Sequence, residues 1–150
     1  MCSPSIVRIF VEFDDDTISV DYVANPLSWE FLSRRLVDYL WPSIKNDVQL
    51  FDAPLIDART QGHVHDFLIV NVVRVIECLD IAASTIIKTD EGAIAAVTEI
   101  ALRTSCIPAD VHIFRPSEFP YAILFSAELA YSLSGKGLRG MAFSPCISVP

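Results

Sequence analysis

Apolar and polar residues alternate along much of the chain, which is typical of β-strands. Residues 6–13 and 17–23 are rich in β-branched and aromatic side chains, and three aspartates separate them. A polar break between two such runs predicts a β-hairpin. The same pattern predicts further short strands at residues 48–51, 55–58, 84–88, the second half of 93–104, 111–115, 121–125 and 139–143.

Two segments have helical spacing instead. In the first, Asn25-Pro26 is typical of a helix start, and apolar residues recur from Leu27 to Leu40 at helical intervals. Pro42 is expected to end this helix, because proline lacks the backbone N–H. In the second, residues 126–133 begin with a capping serine and are followed by glycine, which predicts a short helix.

Residues 67–79, with the sequence FLIVNVVRVIECL, form the most apolar run of the chain. Their β-branched content favours a strand that is buried on both faces near the centre of a sheet. A helix stays open as the alternative, because Asn71, Arg74 and Glu77 would then share one stripe. The whole pattern predicts an α+β fold: one domain over residues 1–150, with a mostly antiparallel sheet and two or three helices.

Composition limits the kinds of partner. The chain has 150 residues, of which 52% are hydrophobic and 20% charged, so it is expected to fold as one globular domain. Its formal net charge of −8 disfavours nucleic acid and anionic membranes as partners and suits a basic protein. Neither a signal peptide nor a transmembrane segment is indicated, so we expect a soluble, cytoplasmic protein.

The negative charge is concentrated in the predicted N-terminal hairpin. We name as the acidic hairpin the carboxylates Glu12, Asp14, Asp15, Asp16 and Asp21. Two hypotheses account for them. They are either a solvated edge that prevents aggregation, or a patch that meets a basic partner.

Candidate chemistry is sparse. The four cysteines, at positions 2, 78, 106 and 146, form no CxxC pair, which indicates reduced thiols. His63 and His65 would project from one side of a strand and lie beside Asp66, but zinc sites need three or four ligands. No nucleophile elbow, P-loop, dinucleotide motif or HExxH occurs. We therefore expect no enzyme activity, no metal or other cofactor and no small-molecule ligand.

Arg74 and Arg115 each stand inside an apolar strand sequence. A charge in such a place needs a partner. We expect a structural pair with a carboxylate, such as Glu77, Asp80 or Asp110, or with a backbone carbonyl. Anion binding is the alternative interpretation, although no glycine-rich loop accompanies either arginine.

Three segments, taken in order, resemble a known family. They are FLIVNVVRVIECLD with the serine after it, HIFRP, and FSAELAYSLSGKGLRGMAF. Together they resemble bacterial immunity-protein family eleven, a Myxococcus-type family formerly described as a domain of unknown function, over residues 67–143. The residues that match its pattern, all expected to be structural, are Asn71, Arg74, Asp80, Ser84, Phe114, Arg115 and Gly140.

The resemblance implies an inhibitor and not an enzyme. Proteins of this kind belong to polymorphic toxin systems, in which each one binds a cognate toxin and neutralises it. Occlusion of the toxin by a preformed surface is the expected mechanism, and a basic toxin is favoured. The N-terminal half matches the pattern poorly, so the acidic hairpin is expected to carry the partner-specific surface. A small enzyme with an unrecognised site and an adaptor for another protein are the alternatives.

Overall fold

The computed structural model describes residues 9–11, 20–25, 28–53 and 55–150. The helices in this part of the chain are α1 (Arg34–Ile44), α2 (Ala127–Leu133) and a 3-10 turn over Thr104–Cys106. The strands are β1 (Ile9–Val11), β2 (Tyr22–Val23), β3 (Phe31–Ser33), β4 (Val48–Asp52), β5 (Leu55–Asp57), β6 (His63–Val64), β7 (Phe67–Val72), β8 (Val75–Ile76), β9 (Thr85–Lys88), β10 (Ile94–Glu99), β11 (Ala101–Arg103), β12 (Ile113–Pro116), β13 (Leu124–Phe125) and β14 (Ile147–Val149).

The chain divides into two compact units. The first contains Met1–Tyr39, Leu50–Asn71 and Gly137–Met141, and the second contains Leu40–Gln49, Val72–Lys136 and Ala142–Pro150. The predicted α+β class is confirmed, with two α-helices and many antiparallel strands among the described residues. The strands form several small sheets, where the sequence pattern predicted one. Organisation as a single domain stays a prediction.

Two sheets are centred in the first unit. One has the order β1-β5-β6, in which β1 runs parallel to β5, and the other has the order β2-β3-β7-β4. The side chains of Phe31, Leu55 and Phe67 are buried together in this unit. Part-buried residues such as Val23 and Ile69 pack against them, so alternate positions of short strands build this core.

The second unit has three more sheets. Their orders are β10-β9, β11-β14 and β13-β12-β8, and the β11/β14 and β12/β8 pairs are parallel. The core contains Cys78, Leu79, Leu102, Phe114 and Leu124. Leu102, Phe114 and Leu124 lie on strands, and Leu79 forms an isolated bridge with Leu102.

The first helix begins and ends later than its sequence pattern predicts. Phe31–Ser33 is strand β3, which pairs with β7, and the hydroxyl of Ser33 caps α1 by accepting the N–H of Leu36 at 3.1 Å. Asn25, the predicted cap, instead closes a turn with Trp29. Pro42 lies inside the last turn of α1 and does not end it. The helix closes beyond it through a hydrogen bond from the N–H of Lys45 to the carbonyl of Trp41.

The apolar run at residues 67–79 is extended, as favoured, but it is not one continuous strand. It forms β7 and β8, with a break at Val73 and Arg74. The N–H groups of both break residues donate to the carbonyl of Asp47, which takes the chain out of the β7 ladder. Burial on both faces is also wrong, since Asn71, Val73 and Val75 are exposed.

The predicted strand at 139–143 is absent from the described chain, and the last strand is β14 instead. Gly137 and Gly140 have φ angles of +66° and +87°, which an extended strand does not contain. Strand β10 begins at Ile94, so residues 93–104 are extended from nearly their start. The second helix is confirmed: Ser126 accepts the N–H of Leu129, and Gly135 has a φ of +77°.

We predict that Gly140→Ala destabilises the protein more than Gly92→Ala. Both glycines have a left-handed φ, so alanine is strained at either position. A Cβ at Gly140 would lie 2.6 Å from the Tyr22 carbonyl oxygen, whereas a Cβ at Gly92 would have no atom within 4 Å. Thermal melting of both variants checks this, and equal melting temperatures would contradict it.

Candidate functional site

Most of the acidic hairpin lies outside the described residues. This applies to Glu12, Asp14, Asp15 and Asp16. The predicted hairpin is wrong for the described residues of its two arms, because β1 pairs with β5 and β2 pairs with β3. Asp21 is described, and its side chain does not belong to an exposed patch. The residue is 1% exposed, because its carboxylate is enclosed by hydrogen-bond donors. The prediction that Asp21 offers a surface charge is therefore wrong.

Asp21 connects three segments of the first unit. Its Oδ1 accepts the Ser33 hydroxyl at 2.6 Å, and its Oδ2 accepts Arg35 Nη2 at 2.6 Å and the Arg139 N–H at 3.1 Å. Its own N–H donates to the Arg139 carbonyl, and its carbonyl accepts the Ser33 N–H. Strand β2, the start of α1 and the 137–141 segment are thus held by one residue.

The same contacts set the charge state of Asp21. Burial alone would raise the pKa of this carboxyl, but the hydrogen bonds from Arg35, Ser33 and Arg139, with the Arg35 charge, outweigh it and hold the pKa below its usual value. Because the pKa is lower in the folded state, the network contributes stability above the ordinary aspartate pKa of about 3.9. That contribution is lost as the pH falls through the folded-state value.

We predict that Asp21→Asn lowers the free energy of unfolding at neutral pH by about 1–3 kcal/mol, the range for losing the partner of a buried hydrogen-bonding group. The variant also loses part of the acid dependence, so its stability falls less steeply than wild type between about pH 5 and pH 2. Urea unfolding at several pH values measures both. Asp52→Asn is the control, because Asp52 pairs with Arg34 at the surface. Identical pH profiles for Asp21→Asn and wild type would contradict the assignment.

Arg74 forms a structural ion pair, but with a carboxylate that the sequence did not single out. Its Nε lies 2.8 Å from Oδ1 of Asp47, whose side chain is 5% exposed. The three proposed partners, Glu77, Asp80 and Asp110, are not its partners. Asp47 also accepts two N–H groups at its carbonyl, so side chain and backbone of one residue hold the β7–β8 break.

We predict that Arg74→Ala lowers the free energy of unfolding by about 1–3 kcal/mol, since the buried Asp47 carboxylate loses a donor. The cost is below that of a fully buried pair because the Arg74 side chain is half exposed. Asp52→Ala, which breaks the surface pair with Arg34 and leaves the Arg34 bond to the His65 carbonyl in place, is the control and leaves the melting temperature nearly unchanged. Unchanged melting of Arg74→Ala with loss of partner binding would instead place the arginine in an interface.

Arg115 is held by backbone carbonyls. Its Nε donates to the carbonyl of Val72 at 3.4 Å, and its Nη1 donates to the carbonyl of Pro120 at 2.7 Å. This agrees with a structural role and leaves its guanidinium engaged on two sides. The neighbouring Phe114 is buried in the core of the second unit.

The other residues of the family pattern shape turns and close contacts. Oδ1 of Asp80 accepts the N–H groups of the second and third residues after it, at 3.0 and 2.9 Å. The hydroxyl of Ser84 accepts the N–H of Ala101 at 3.0 Å. Gly140 makes the close approach to Tyr22, and Asn71 lies exposed on β7.

The described cysteines are free thiols. Burial, and then the charge of Glu118, raise the pKa of Cys78 to about 11, so this thiol is protonated and unreactive at neutral pH. Burial also raises the pKa of the part-buried Cys146, whereas Cys106 is exposed. Cys2 lies outside the described residues.

His63 and His65 project from the same side of the chain, as predicted for a strand. Their rings stack with centroids 5.8 Å apart. The backbone near them is engaged by Arg34, whose N–H donates to the Asp66 carbonyl and whose Nε donates to the His65 carbonyl. Among the described residues, no group of three or more His, Cys, Asp or Glu side chains is placed to hold a metal ion.

Sequence reasoning missed Asp47 and gave Asp21 a surface role, although the structure buries both carboxylates. Asp47 follows the polar stretch Lys45-Asn46, and nothing in its sequence neighbourhood distinguishes it from a loop residue. Asp21 alternates with apolar residues in TISVDYV, which is the one signal that it faces away from them or is paired.

In the described part of the chain, no helix is long and apolar enough to cross a membrane.

These features describe an acidic α+β protein whose distinctive charged residues hold its own segments together. Comparison of the sequence with known protein families gives a match to the immunity protein family Imm11 over residues 5–148. The chain therefore belongs to the Imm11 immunity protein family, as its sequence motifs indicated. The match extends well beyond residues 67–143, so the expectation that the N-terminal half departs from the family is wrong. No curated protein matches the chain.

Proposed function

We propose that this protein binds a cognate protein toxin of a polymorphic toxin system in the cytoplasm and neutralises it without catalysis. Membership of an immunity protein family is the observation that carries the proposal. The preformed turns and buried ion pairs fit a rigid inhibitor, because a surface that is ordered before binding loses little entropy on association. Occlusion of the toxin's active cleft is the mechanism, with no chemical step on this protein.

Growth rescue tests this function. The partner to use is the C-terminal domain encoded by the gene beside this one, expressed alone and together with this protein. We expect toxicity of that domain alone, rescue on co-expression, and a stable complex of the two chains on size exclusion. Toxicity that persists although both chains are present would overturn the proposal.

The net charge of −8 supports a basic toxin. Opposite charges on two partners speed their encounter, and salt screens this attraction over about 8–10 Å. We assign the steering role to the acidic hairpin without Asp21, that is, to Glu12, Asp14, Asp15 and Asp16. These four carboxylates stand within five consecutive positions, the densest negative charge in the sequence. This charge density is the observation that supports the assignment.

We predict that replacing Asp14, Asp15 and Asp16 with Asn slows association with the toxin and flattens its salt dependence. Dissociation should change little, because steering acts before the final contacts form. Stopped-flow association at low and high salt is the measurement. The control variant neutralises three exposed carboxylates elsewhere, Asp90, Glu91 and Asp110, as Asn, Gln and Asn. Equal slowing by both variants would mean that only net charge matters and that the hairpin has no special place.

A further inference from the structure

Three large apolar or aromatic side chains stay exposed in the second unit near the β7–β8 break. Val73 and Val75 are 45% and 52% exposed, although both belong to the most apolar run of the sequence. Tyr121 is 81% exposed, and its ring packs edge to face against that of Phe119 with the ring centroids 5.6 Å apart. Single exposed apolar residues are ordinary, so what matters is whether these three form one surface.

Arg115 connects the segments that carry Val73, Val75 and Tyr121. It is the register partner of Val75 in the parallel β12/β8 pair, and paired residues of adjacent strands project from the same face. Its guanidinium donates to the carbonyl just before Val73 and to the carbonyl just before Tyr121. One side chain therefore holds both flanking segments, and we name Val73, Val75, Arg115 and Tyr121 the Tyr121 surface.

The Tyr121 surface also has an open backbone edge. Strand β8 is the end strand of the sheet β13-β12-β8. The bonds to β12 use the carbonyls of Arg74 and Ile76, which accept the N–H groups of Arg115 and Ser117. The N–H and carbonyl of Val75 therefore point away from β12, and β8 has no second strand neighbour among the described residues. An open edge of this kind is satisfied by another polypeptide, so it points to a protein as the occupant.

An exposed carboxylate lies beside this surface. Glu77, two residues from Val75, is 78% exposed and lies 3.6 Å from Nη2 of Arg103. The same Nη2 lies 3.5 Å from Glu118, so one guanidinium serves two carboxylates. A partner that carries lysine or arginine beside an apolar side chain complements this arrangement. The Tyr121 surface also contains a tyrosine and an arginine, two residue types that are enriched at the centres of protein interfaces.

We propose that the Tyr121 surface is the place where this protein binds its toxin, through a segment of the toxin that presents an apolar side chain next to a basic one. The inference rests on the function proposed above. Tyr121 and the two valines supply the apolar centre, Arg115 keeps them in position, and Glu77 meets the basic residue at the rim. This surface is distinct from the acidic hairpin, which acts on the rate of encounter.

The test measures the dissociation constant and both rate constants for the toxin domain encoded by the neighbouring gene. We expect Tyr121→Ala and Val75→Ser each to weaken binding by about tenfold or more, mainly through faster dissociation. Tyr131→Ala is the matched control, because Tyr131 is 82% exposed on α2 and is not part of the surface, and it should bind as wild type does. Melting temperatures of all three variants should equal that of wild type.

Glu77→Gln tests the charged rim residue separately from the apolar centre of the surface. It should lower the association rate and its salt dependence, with a dissociation rate close to that of wild type. Wild-type affinity of both Tyr121→Ala and Val75→Ser for a toxin that the parent protein neutralises would overturn the Tyr121 surface and leave the proposed function standing. Failure of the parent protein to bind or neutralise the toxin would overturn both.

Discussion

The constraint on which both units depend is that a buried carboxylate must be surrounded by donors. Asp21 in the first unit and Asp47 in the second are almost fully buried, and each is matched by an arginine that reaches it from a half-exposed position. An unpaired charge in such a place would cost several kcal/mol, so the chain segments that supply the donors have to be in place. Much of the irregular architecture follows. At Asp21 the Arg139 N–H donates to the carboxylate. At Asp47 the carboxylate accepts Arg74 Nε, and the break after β7 brings two N–H groups to the backbone carbonyl of the same residue.

The family pattern gains a physical meaning from these contacts. Arg115 fixes two carbonyls, Asp80 closes a turn, Ser84 bonds the backbone at the start of β11, and Gly140 allows an approach that no side chain permits. These positions hold an immunity protein's scaffold and leave its neighbouring exposed side chains available for a partner. A scaffold of this kind suits the proposed function, because a surface that is ordered before binding loses little entropy on association.

Local signals in the sequence predicted local structure well. The Ser126 cap and the glycine that follows α2 lie where the residue types place them, because each is settled within a few residues. Features that depend on distant partners were not predictable. Residues 31–33 keep the spacing of a helix, yet they are a strand because β7 pairs with them. Arg74 was expected to bond a nearby carboxylate, but its partner is 27 residues away.

The bond between Asp21 and Arg139 has a consequence for how the protein is made. These residues are 118 positions apart, so a ribosome that has released β2 must still synthesise most of the chain before the first unit receives its last segment. Until then the Asp21 carboxylate lacks the Arg139 donor and Tyr22 lacks its neighbour Gly140. The first unit therefore completes its folding late, after synthesis has passed residue 141. A chain that ends before residue 139 therefore lacks the backbone groups that bond Asp21 and cannot complete the first unit.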